Sequence, residues 1–249
     1  MTNLEIKKQK LPSWDLTDLY PTIDSPDVEK DLLNVDQMTK RFRRNYRGKI
    51  SKLKEKGFEK LFRDWEYLER KSGRLLSFAQ LMHCQITTCQ DRIKFLSDIQ
   101  EKLTKFNSRI LFLPLEINEM NDKHYKKIVS KKSCLYRYKI FFEKTRAMKP
   151  YQLSEELENL LNDYASASRN AWSKLFDETI SEINVEMSGK EYSLEETLNL
   201  FQSPNSRIRE SAGIKLAKKF QEKLKIFGRI TNSLAKEKQI EDNWRKFKT

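Results

Sequence analysis

The sequence has few residues that interrupt a helix. Its 249 residues include six glycines and six prolines. Breakers this sparse exclude a many-turned β fold and favour long helices. Cysteine is nearly absent: Cys84, Cys89 and Cys134 are the three present. An odd, sparse count excludes the disulfide framework of a small secreted domain. The spacing of Cys84 and Cys89 is neither a Cys-x-x-Cys redox pair nor half of a zinc ribbon, so all three read as free thiols. Histidine is scarcer still, with His83 and His124 alone. They lack the His-x-x-x-His spacing that sets two imidazoles on one helical face for zinc. His83 reads as a packed structural residue, and His124 as an exposed residue near a helix start. There is no Gly-x-Ser-x-Gly elbow for a serine nucleophile and no glycine-rich phosphate loop. Long apolar runs are missing too. The richest, Ile110-Leu111-Phe112-Leu113-Pro114-Leu115, falls far short of the roughly 20 residues that span a bilayer. Met1 to Lys10 is polar and is no signal peptide. These absences predict a cytoplasmic protein with no membrane partner.

Charge, by contrast, is abundant. Charged residues make up 34% of the chain and the net charge is +13. That fraction exceeds the roughly 25% usual in globular proteins and implies large solvated faces. A positive balance can signal a polyanion partner. Here the lysines are mixed with acids, the runs Lys7-Lys8, Lys131-Lys132 and Lys218-Lys219 are short, and no groove-reading motif occurs. A nucleic-acid partner is therefore disfavoured. Glu155, Glu156 and Glu158 cluster at an expected helix start, where compensation of the helix dipole accounts for them.

The spacing of apolar residues supplies the architecture. Residues 1–10 read as a disordered tail. Leu11 to Pro21 reads as an extended segment or single turn pinned by Trp14, Leu16, Leu19 and Tyr20, with Asp15 and Asp18 in structural roles. Ser25-Pro26 opens a helix, with Ser25 capping and Pro26 at the first helical position. Val28, Leu32, Val35, Met38, Phe42 and Tyr46 form its buried stripe, and Gly48 supplies the stop. A second helix is expected from Phe58 to Gln85 and a third from Asp91 to Glu119, kinked or ended near Leu113 by Pro114. Shorter helices are expected over Asp122–Val129, Cys134–Lys144, Glu155–Ala167 (capped by Ser154) and Arg169–Phe176. Ile180 to Met187 alternates and meets Ser188-Gly189, which predicts a small β-hairpin up to Tyr192. Ser193-Leu194-Glu195-Glu196 is a capping box. Ser203-Pro204 reads as the start of a long last helix on Ile208, Ala212, Leu216, Phe220, Leu224, Phe227, Ile230 and Leu234. The expected fold is mainly α: an elongated multi-helix lobe with one small hairpin, divided into residues 11–179 and 180–249. The apolar positions of the last helix run so far along it that an exposed apolar surface is expected there.

Four blocks carry a resemblance beyond these generic patterns. They are Trp14-Asp15-Leu16-Thr17-Asp18-Leu19-Tyr20-Pro21, Asn170 through Glu178 (NAWSKLFDE), Ser203-Pro204-Asn205-Ser206-Arg207, and Leu234 through Asp242 (LAKEKQIED). In this order and spacing, from Leu11 to Phe247, the chain resembles the N-terminal part of oligoendopeptidase F. The resemblance implies a cytoplasmic zinc metallopeptidase that cuts short peptides, helical, with two lobes around a deep channel. It implies zinc held by His-Glu-x-x-His and a further glutamate. No His-Glu-x-x-His occurs in this sequence, so no catalytic or metal-binding residue can be carried over, and no zinc is expected in this chain. The expectation is a front part that ends before the catalytic motif and is inactive alone. Short peptides and a separately encoded metal-bearing half are the implied partners. A standalone helical interaction module, or a non-functional remnant, is the alternative.

Overall fold

A computed structural model describes residues 14–248. The expected tail at 1–10 and residues 11–13 lie outside the described residues. The fold is predominantly helical with a single two-stranded antiparallel sheet among the described residues.

Helix α1 spans Pro26–Tyr46. Ser25 Oγ accepts from the Asp27 amide at 3.3 Å, and Pro26 occupies the first turn, where its missing N–H is not needed. Gly48 takes φ +74° just beyond the helix. Glu116 gathers this turn: its carboxylate accepts from the Gly48 amide at 2.5 Å and from the Ile50 amide at 3.1 Å. Helix α2, Glu55–Gln85, and helix α3, Gln90–Ile110, pack with α1 into a three-helix layer.

The expected third helix is cut in two. It ends at Ile110, and α4 restarts at Phe112 and runs to Glu119. Pro114 lies in the first turn of α4, where amides have no intrahelical acceptor, so it opens a new helix instead of kinking the old one. Helix α5 follows at Asp122–Ile128. The segment expected as one helix from Cys134 begins as a 3-10 turn, Cys134–Tyr138, and becomes α6 at Lys139–Ala147. Helix α7 covers Glu155–Tyr164 and stops short of Ala167, while α8, Arg169–Ser181, runs past Phe176.

Two adjoining cores share α2. Phe58, Leu61, Phe62 and Leu68 pack with α4, α5 and α6 residues such as Phe112, Ile117 and Phe142. Leu75, Phe78 and Ala79 pack with Tyr20, Val35, Ile99 and Phe106. Tyr20 is fully buried, and its hydroxyl donates to Asp31 at 2.8 Å. Asp31 also accepts from Lys71 at 2.8 Å, and the Arg74 guanidinium lies 4.3 Å over the Tyr20 ring. Burial opposes ionisation of Asp31, but hydrogen bonds from Lys71 and Tyr20 outweigh it and hold its carboxyl below the usual range. Asp15 is structural as expected: it accepts from the Thr17 amide and hydroxyl at 2.9 and 2.7 Å. Trp14 is a correction. It is 71% exposed, so the segment is pinned by Leu16, Leu19 and Tyr20 without it.

The hairpin pairs β1, Asn184–Met187, with β2, Lys190–Ser193. Ser188 and Gly189 both take positive φ, as a type I′ turn requires. Ile180 belongs to α8, so the strand alternation starts later than its pattern suggests. Val185 and Met187 face a small core with Ile183, Ala212 and Leu216. Helix α9, Leu194–Asn199, carries the expected reciprocal capping box: Ser193 Oγ accepts from the Glu196 amide at 3.2 Å, and Glu196 accepts from the Ser193 amide at 2.9 Å. Helix α10 runs 40 residues, Ser206–Arg245. Its cap is Asn205, which accepts from the Arg207 amide at 3.0 Å, and not Ser203-Pro204. Asn205 directly precedes the first helical residue, so its side-chain oxygen meets the first free amides, whereas Ser203 lies two residues further out.

Candidate functional site

Helices α7, α8 and α10 enclose an open groove of about 1220 Å3. Leu161 and Tyr164 come from α7, and Trp172 and Leu175 from α8. The facing wall is one side of α10 from Lys225 to Glu241. Two of the four resemblance blocks therefore meet here: Trp172 and Leu175 stand opposite Lys236, Glu237, Ile240 and Glu241. Helix α10 buries only Ala212, Leu216 and Ile230 among its 40 residues. Ile214, Leu224, Ile240 and Trp244 are all exposed, which agrees with the apolar surface expected on this helix.

The groove has fixed ends. Within its lining Ser168, which is buried, donates from Oγ to Glu237 at 2.9 Å. Beyond it the Arg245 guanidinium forms a bidentate pair with Glu158 at 2.7 and 2.8 Å. Arg245 also donates from Nε to Glu241 at 2.7 Å and from Nη1 to the Tyr151 carbonyl at 3.2 Å. Phe247 stacks on Tyr151 with ring centroids 4.1 Å apart. Burial alone would raise the Glu158 carboxyl. The hydrogen bonds from Arg245 and the Leu153 amide outweigh burial and leave it lowered. Glu158 is thus a correction: it is a tertiary ion-pair partner, not a solvated dipole charge. Glu155 is similar, paired with Arg47 at 2.8 Å. Glu156 remains exposed at the helix start.

The titratable residues singled out in the sequence are not brought together. His83 lies in the last turn of α2 with its Nδ1 buried and unpartnered. His124 contacts the Leu53 carbonyl through Nε2 at 2.9 Å and packs against Phe58 at the other end of α2. It is half-buried, contrary to the exposed position expected, because α5 folds back onto the start of α2. Phe58 and His83 are 25 residues apart on one helix, a span of roughly 37 Å at 1.5 Å per residue. The two imidazoles cannot share a metal. Among the described residues no three of His, Cys, Asp and Glu gather as a metal site. Cys84 and Cys134 are exposed, and Cys89 is half-buried. The Cys134 thiol is pushed up to about 12 by local desolvation and by Glu59 and Glu55, the latter accepting from Sγ at 3.2 Å.

Sequence comparison bears on the same region. Residues 116–184, which include α7 and α8, match the N-terminal family model of oligopeptidase F. This segment is similar to the oligopeptidase F family. The fold extends the likeness. The crystal structure of oligoendopeptidase-F from Enterococcus faecium superposes with a TM-score of 0.73 over 88% of this chain, at 15% identity. A Chlamydophila abortus protein with a provisional peptidase name aligns over 95% of this chain and 40% of its own, with a TM-score of 0.47 and 18% identity. The chain covers 43% of the Enterococcus faecium structure, so it spans less than half of that protein. No curated protein matches the sequence. No helix among the described residues is long and apolar enough to cross a membrane.

Proposed function

We infer that this chain is the N-terminal helical region of an oligoendopeptidase F-like zinc metallopeptidase that hydrolyses short peptides in the cytoplasm. The observation that carries the reading is the coincidence of the family match at 116–184 with the oligoendopeptidase-F fold over 88% of the chain. In this reading, residues 11–179 and 180–249 form one wall of the substrate channel. A metal-bearing region encoded separately supplies the His-Glu-x-x-His chemistry, in which zinc activates water and polarises the peptide carbonyl. The chain's own part is to shape the channel. Binding without stabilisation of the developing oxyanion does not accelerate hydrolysis, so the chain alone is inactive.

The test has two arms. The full chain is incubated with zinc and a quenched fluorescent oligopeptide, and no turnover above buffer is expected. Chelator-sensitive cleavage by the purified chain would overturn its inactivity. In the second arm, a neighbouring reading frame containing His-Glu-x-x-His is expressed and mixed with the chain. Restored cleavage supports a two-piece enzyme. The alternative, a standalone interaction module, gains if no such frame exists and the chain is nevertheless produced folded.

A further inference from the structure

We propose that the groove between α7–α8 and α10 is a docking site for an acidic amphipathic helix of a partner protein. This goes beyond the peptidase reading and does not rest on it.

Three observations carry the proposal. The first is charge. Lys225, Arg229 and Lys236 line the α10 side of the groove, spaced by four and seven residues on one helical face. None of them has an ion-pair partner among the described residues; Lys236 donates to the Gln239 side chain at 3.0 Å. The acids beside them are already engaged: Glu237 with Ser168 Oγ at 2.9 Å and Arg169 at 3.9 Å, and Glu241 with Arg245 at 2.7 Å. The field that remains in the groove is positive and selects a carboxylate-bearing occupant.

The second is apolar surface. Tyr164, Leu175, Ile226 and Ile240 border the groove and are 60, 37, 37 and 48% exposed. They supply anchors of the kind that an amphipathic helix buries in a groove.

The third is shape. Lys225 to Glu241 covers roughly 24 Å of helix at 1.5 Å per residue. Helices form the walls of this trough, and helical ridges seat between helical ridges. A peptide that binds by strand addition needs a sheet edge, and neither hairpin strand lines the groove. A helix brings its own backbone hydrogen bonds. Gly228 lies on the groove side of α10, and a Cβ added there would meet nothing within 4 Å. The groove can therefore be filled without touching the protein's own packing.

The probe is a fluorescein-labelled synthetic helix of about 18 residues, long enough to hold a helical face, with leucines on one face and glutamates on the flanks. Fluorescence anisotropy is read as the full chain is added. Saturable binding that weakens with salt is expected. Gly228→Leu and, separately, the double variant Lys225→Glu with Arg229→Glu should each weaken it about tenfold or more. Circular dichroism of both variants should match the parent. Equal binding of a scrambled peptide of the same composition would overturn the proposal, because the amphipathic face would then be irrelevant. So would unchanged binding in Gly228→Leu alongside unchanged binding in the charge variant. Light scattering provides the remaining arm: a dimer that Gly228→Leu converts to monomer would assign the groove to a second copy of this chain and overturn the partner helix.

Discussion

The body formed by α1 to α6 and the arm formed by α7 to α10 with the hairpin are both helical, yet they are held by different forces. The body buries fifteen apolar residues in one core and eleven in the other. The arm's own core holds five. Helix α7 has no buried residue among its ten. What joins it to the body is polar: Ser108 donates to Asp163 at 2.6 Å, Asn162 donates to Ser108 at 2.7 Å, and Arg47 pairs with Glu155. Beside this contact is a cleft of about 620 Å3 lined by polar side chains, among them Thr104, Ser166, Asn170 and Lys174. Apolar burial gives non-directional stability in proportion to area, whereas exposed polar contacts contribute little each. The same secondary structure can therefore make a rigid platform in one place and a lightly held arm in another.

The sharpest way to test this contrast is to damage the body. Phe62 is fully buried, stacks on Tyr138 at 4.0 Å and meets Phe142 edge-on at 5.4 Å. Phe62→Ala should cost about 4 kcal/mol through lost transfer energy and the cavity left behind. Urea unfolding followed by circular dichroism should show the loss in the main transition. A loss below about 1 kcal/mol would mean that the body's core is not the seat of its stability.

The next test concerns a contact inside the arm, between α10 and α7. Arg245→Ala leaves Glu158 without its bidentate partner, and its loss should cost roughly 2 kcal/mol, below the full figure for a deeply buried pair. Hydrogen exchange should report the loss in the last turns of α10 and not in α2. Acid should mimic the variant. The Glu158 carboxyl is lowered in the folded chain, so its contribution is present above the ordinary glutamate value, about 4.3, and is lost as pH falls through the folded value. Protection of α10 should therefore decline as pH falls below the ordinary glutamate range in the parent and show a weaker pH dependence in Arg245→Ala. Equal pH dependence in both would remove Glu158 from the account.

A smaller effect isolates the hairpin end of the arm. Ser193→Ala removes one side of the capping box and should cost about 1 kcal/mol. The hairpin and α9 should exchange faster, with the body unchanged.

How much of this was legible in the sequence depended on the range of the interaction. Local signals read well. Ser25-Pro26, the capping box at Ser193 and the turn at Ser188-Gly189 concern neighbours within a few residues, and the structure places each as its pattern implies. The apolar stepping of Val28 to Tyr46 is local in the same sense. Signals that needed a partner far along the chain did not read. Glu158 looked like a dipole charge because its partner, Arg245, lies 87 residues away. His124 looked exposed because nothing near it announces the Leu53 carbonyl. Trp14 looked like an anchor on residue type alone. The groove was visible only as two family-like blocks, 170–178 and 234–242, whose facing arrangement is a property of the fold.

The smallest effect bears most directly on whether body and arm unfold as one unit. Gly73 in α2 and Gly228 in α10 are both helical, and a Cβ added at either would meet nothing within 4 Å. Alanine at such a site reduces the freedom of the unfolded chain and restores helix propensity, a gain of roughly 0.5–1 kcal/mol at each position. Chemically the two substitutions are the same. They differ only in which region receives the gain. If the body sets the main unfolding transition, Gly73→Ala raises the denaturation midpoint. Gly228→Ala then leaves the midpoint in place and slows exchange only along α10. Equal shifts of the midpoint by both would show that the polar joint at Ser108, Asp163 and Glu155 couples the regions into one cooperative unit. That result would remove the contrast between platform and arm, because a lightly held arm cannot pass its stability to the whole.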